Sequence, residues 1–90
     1  MSRKNIYFIQ GEITGLIKIG QADEPEVRLK LLQIGSPDRL KLLGSMRCFE
    51  KCESILHKTF YKDKVHGEWY RSSEKLLEFI AKFTEPNKFA

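Results

Sequence analysis

Ninety residues, 41% of them hydrophobic and 11% aromatic, suffice for one small core and exclude both a second core and a disordered polar chain. Apolar runs of only a few residues fall far short of the ~20 that cross a bilayer, and no basic-then-apolar leader precedes the first strand pattern, so no membrane partner is expected and the expected compartment is the cytoplasm. A net charge of +4 favours a polyanionic partner without establishing one.

In chain order, residues 4–10 and 16–20 form two short apolar runs, with Gly11 and Gly15 between them, which predicts an antiparallel hairpin. Period-2 geometry puts Ile6 and Phe8 on one face and Tyr7 and Ile9 on the other, so both faces should be covered. Asp23-Glu24-Pro25-Glu26 is a helix start: Asp23 can cap, Pro25 suits the first turn, and Glu26 completes a capping box. Val27, Leu31 and Ile34 then recur at helical spacing with Leu32 beside them, until Gly35 and Pro37 end the helix. Leu40 to Met46 reads as a third strand, and Glu50 to Lys62 as a second helix with Cys52, Ile55, Leu56, Thr59 and Phe60 on its apolar side. Asp63 to Arg71 reads as a polar connector containing Gly67, Trp69 and Tyr70. Ser72 or Ser73 caps a last helix that buries Leu76, Leu77, Ile80 and Phe83.

The expectation is one α/β domain over residues 1–90, with its core at about 4–83 and residues 84–90 frayed. Its fold is a small three-stranded antiparallel sheet flanked by helices, in the order β-β-α-β-α-α. Cys48 and Cys52 are too few for a disulfide framework and are expected as free thiols. With His57 and His66 they raise a structural zinc, but the spacing fits no compact zinc template.

Tyr7 lies in the first strand, Lys18-Ile19-Gly20 closes the second, Arg28 follows on a helix, and Glu53 and His57 share one face of a later helix. This pattern resembles the GIY-YIG nuclease family in its compact phage and bacterial branch, across roughly residues 5 to 80. Leu56-His57 and Gly67-Glu68-Trp69-Tyr70 are similar to that branch as well. Three positions depart from the family pattern. Asn5 stands for its first glycine, Lys18 for the tyrosine of the second motif, and Leu32 where a histidine often follows the arginine; Asn87 is a weak candidate for its late asparagine.

The resemblance implies a metal-dependent endonuclease hydrolysing phosphodiester bonds, with DNA as the favoured nucleic acid and Mg²⁺ or Mn²⁺ as cofactor. Glu53 would hold the metal, which can take as few as one or two protein carboxylates. Arg28 would grip phosphoryl oxygens through its planar fork. Tyr7 would accept the water proton, Lys18 would favour its phenolate as a cross-strand neighbour, and His57 would orient water or phosphate.

Taken singly, each residue has an ordinary reading: a strand tyrosine, an edge lysine, solvated helix charges, a packing histidine. The combination carries the inference. Trp69 is expected in the core and Glu68 as an exposed charge, with a second metal carboxylate as its alternative. Lys58 to Lys64 alternates lysines with aromatics, which suits either a nucleic-acid backbone or a solvated helix end. Two other function classes stay open: a nucleic-acid-binding module without turnover, and a protein-interaction domain. A homodimer is a further possibility, since so small a domain has little surface for a long site.

Overall fold

A computed structural model describes residues 3–86. Strand β1 (Arg3–Gly11) forms a hairpin with β2 (Ile17–Ala22), and Gly15 turns the chain at φ 74°, a conformation that glycine alone adopts freely. The buried Asp38 carboxylate ties down the connecting loop, accepting hydrogen bonds from the Ile13 amide at 2.8 Å and the Thr14 amide at 3.2 Å. Strand β3 (Leu40–Phe49) pairs with the other edge of β1, with a register shift between Phe8 and Ile9.

Helix α1 (Pro25–Ile34) covers one face of this sheet; α2 (Cys52–Thr59) and α3 (Glu74–Phe83) cover the other. Ile6, Phe8, Ile17 and Ile19 pack under Leu56, Phe60, Leu76 and Ile80, while Tyr7, Ile9, Leu40 and Leu42 pack against Leu29, Leu32 and Trp69. Ser73 caps α3, its hydroxyl accepting from the Leu76 amide at 3.2 Å. Among the described residues, no helix is long and apolar enough to cross a membrane.

The sheet corrects the expected three strands and the order β-β-α-β-α-α. Residues read as a connector form a second hairpin, β4 (Lys64–His66) and β5 (Trp69–Tyr70), around Gly67 at φ 55°. Residues read as frayed tail supply β6 (Glu85–Pro86), which pairs with Gly44 and Ser45. The result is an antiparallel six-stranded sheet in the order β4-β5-β2-β1-β3-β6. Strands of two or three residues are too short to show an alternation, and β4 is exposed along its length, so no apolar period marks it. Asn87 lies outside the described residues.

Two local expectations also change. In α1 the inward stripe is Pro25, Leu29 and Leu32, and Val27, Leu31 and Ile34 face solvent; both stripes have helical spacing, so periodicity could not choose between them. Glu24, not Asp23, is the N-cap, and it makes no side-chain cap bond. Cys48 and Cys52 are not free thiols. Because β3 runs on through Phe49, Cys48 sits near the end of that strand, four residues before Cys52 opens α2, and the two are joined in a disulfide. Their sulfurs are thereby unavailable as zinc ligands.

Candidate functional site

β5 pairs with β2 only at Ile17 and Lys18. Beyond that point the Ile19 amide donates to the Glu68 carbonyl at 3.0 Å, so the β4–β5 turn sits against the open edge of β2. Groups from both faces of the sheet meet at this edge.

Tyr7 and Gly20 are cross-strand partners. The phenol ring lies across the glycine, where a Cβ would overlap its hydroxyl, and Tyr7 is only 1% exposed. The glycine is needed there for close approach. Lys18 stands opposite Ile9, a diagonal neighbour of Tyr7 on the same face. Its ammonium donates to Glu68 Oε1 at 2.6 Å. The cation that acts on Tyr7 is Arg28, an exposed α1 residue whose charge and side-chain hydrogen bond favour the phenolate. Burial and the charges of Glu68 and Glu53 outweigh it, and the Tyr7 phenol is held above its ordinary range.

From the other face, α2 presents Glu53 and His57 one turn apart, with Glu53 Oε2 3.7 Å from His57 Nε2. The buried Tyr70 hydroxyl shares a hydrogen bond with His57 Nδ1, which fixes the imidazole and turns Nε2 toward Glu53. One ligand atom each from Glu53, His57 and Glu68 lie within 4.8 Å of one another. Burial first, then the Glu68 carboxylate, pushes Glu53 above the usual carboxylate range. Glu68 suffers burial as well, but its hydrogen bond and ion pair with Lys18 hold it below that range.

Tyr7, Lys18, Arg28, Glu53 and His57 are therefore brought to one edge of the sheet. Sequence reasoning ranked Glu68 as an exposed charge and gave Tyr70 no role. The signal for both was the run Gly67-Glu68-Trp69-Tyr70: on a strand, Trp69 and Tyr70 must face opposite ways, which sends the Tyr70 hydroxyl toward α2.

The model of the T5orf172 domain matches residues 4–85. The chain belongs to the T5orf172 domain family. The family's designation names no reaction, and the match corrects the resemblance to the GIY-YIG family, which is a different one. The residues behind that resemblance were few, and Asn5, Lys18 and Leu32 already broke its pattern. The glycine that ends the second motif has a packing reason of its own here, because the Tyr7 ring crosses the Gly20 backbone. Comparison of the T5orf172 chain with curated proteins and with solved structures gave no match.

Proposed function

We propose that the chain is a divalent-metal-dependent endonuclease acting on nucleic acid, with DNA as the favoured substrate. The observation that supports this reading most is the meeting of Glu53, His57 and Glu68 within 4.8 Å beside Tyr7 and Arg28. Two carboxylates this close, one pushed upward in pKa by burial and then by the other, form a donor set that a cation would relieve. Glu53 and Glu68 offer oxygen ligands and His57 a nitrogen, a set that suits Mn²⁺ at least as well as Mg²⁺. When bound, such an ion supplies Lewis acidity toward phosphoryl oxygen.

The chain's own groups divide the remaining work. Arg28, exposed at the rim, grips non-bridging phosphate oxygens. Tyr7 takes the proton of the attacking water, and Arg28 is the group that favours its ionised form. Lys18 holds Glu68 in place, and Tyr70 holds the His57 ring in the way outer groups orient metal-binding imidazoles.

A second reading, a nucleic-acid-binding module without turnover, is favoured by the burial of Tyr7 and its raised pKa. The test is incubation of the full chain with single- and double-stranded DNA in Mg²⁺ or Mn²⁺, beside Glu53→Ala prepared identically. Cleavage by wild type alone supports the nuclease. Binding without cleavage by either protein selects the second reading, and equal cleavage by both removes Glu53 from the site.

A further inference from the structure

Beyond His57 the chain leaves α2 and makes a single 3-10 turn, Tyr61–Asp63. Against the start of α3 this turn forms an open groove of about 410 Å³, whose walls include Lys58, Lys62 and Lys75. The Lys75 ammonium lies 5.4 Å from the centre of the Phe60 ring, which also lines the groove. The carboxylate on the wall, Asp63, already accepts the Ser73 hydroxyl at 2.6 Å. Tyr61 belongs to the same groove and is 71% exposed, a large ring that the core does not use.

Tyr61 follows His57 by four residues, and Glu53 precedes it by eight. At ~1.5 Å per residue along α2, the groove begins at Lys58, about 7.5 Å of helix rise beyond Glu53, and near it lie three ammonium groups and one bare aromatic face. Ammonium groups spaced along a track match the phosphates of a strand. A solvent-facing ring stacks on a base only when that base is unpaired.

We propose that this groove seats a single strand of nucleic acid, with phosphates on Lys58, Lys62 and Lys75 and an unpaired base on Tyr61, and so leads the strand to the Glu53–His57–Glu68 edge. The proposal rests on the nucleic-acid reading above and names its substrate class: single strands, or unpaired ends, in preference to blunt duplex. Binding needs no metal and no turnover.

The experiment is fluorescence anisotropy of the full chain in EDTA with a labelled single-stranded DNA oligonucleotide, the same sequence as RNA, and its blunt DNA duplex, over a salt series. Stacking on one ring predicts that Tyr61→Ala weakens single-strand binding by about tenfold and duplex binding by less than about twofold. Lys62→Ala with Lys75→Ala should lower the steepness of the log K against log salt line by roughly 1.4, at ~0.7 per strand phosphate; Lys62→Ala alone should lower it by about half that. Lys41→Ala, exposed on β3 away from the groove, controls for net charge. The proposal is overturned if duplex binds as tightly as single strand with Tyr61→Ala silent, or if Lys41→Ala acts as strongly as the groove variants. Preferential single-strand binding by a protein that cleaves nothing in Mn²⁺ would sink the nuclease and leave the groove standing. Cleavage that persists with single-strand binding indifferent to every groove variant would do the reverse.

Discussion

Replacing Glu53 by glutamine should stabilise the metal-free protein while abolishing its response to divalent cations. The carboxylates of Glu53 and Glu68 lie within 4.8 Å, where two like charges repel by about 3.5 kcal/mol at an effective dielectric of about 20 and by about 0.9 kcal/mol in water. The Glu68 side chain is 43% exposed and paired to Lys18, so screening places the gain near the lower figure, about 1 kcal/mol. In a domain of this size that is a rise in Tm of roughly 4–8 °C. The assay is thermal unfolding in EDTA and in Mn²⁺ at one buffered pH for both proteins. Wild type should gain in Mn²⁺, by about 2.7 kcal/mol at a hundredfold excess over Kd, and Glu53→Gln should gain almost nothing. A variant less stable than wild type in EDTA, or one that Mn²⁺ stabilises equally, would refute the reasoning that the pair is a strained donor set awaiting a cation.

The other expected outcomes concern packing, alkaline stability and the disulfide. Gly20→Ala should cost about 1–3 kcal/mol by overpacking, since its Cβ overlaps the Tyr7 ring; Gly35→Ala, with no atom within 4 Å of the new carbon, should be neutral or slightly stabilising, and urea midpoints separate the two. Tyr7 has a folded pKa above its unfolded 10.0, so its contribution to stability is intact below that pH and is lost as pH rises through the folded value. Urea midpoints from about pH 9 to 11 should therefore fall less steeply for Tyr7→Phe than for wild type. Reducing the Cys48–Cys52 bond, which closes a loop of sequence separation 4, should cost about 2 kcal/mol by chain entropy, read as a lower Tm in reductant that Cys48→Ser with Cys52→Ser reproduces.

The central hairpin, β3 and the three helices were legible because each carries several turns or alternations of its own pattern. The short β4–β5 hairpin and β6 were not, since their pairing is decided by the edges they find rather than by their own residues. The face of α1 was misread for a related reason: residues 25, 29, 32 and residues 27, 31, 34 are equally helical, and only the sheet beneath selects between them. In the site, the order Tyr7, Lys18, Arg28, Glu53, His57 marked residues that do converge on one edge. The partner of Lys18 was hidden, because Glu68 is 50 positions away and no local spacing links the two. Arg28, not Lys18, faces the phenol because Gly20 lets Tyr7 reach across β2, a displacement that cross-strand counting does not anticipate.

The Lys18–Glu68 bond joins positions 50 apart, and around it gather side chains from β1, β2, α1, α2 and the β4–β5 turn. Closing so long a loop must precede any reward from the contacts it creates. The edge therefore takes shape only once the topology is complete, and no early intermediate or truncated fragment of the chain should carry a partial version of it. Ion affinity, measured during refolding, would then arrive in the same kinetic phase as the fully formed sheet.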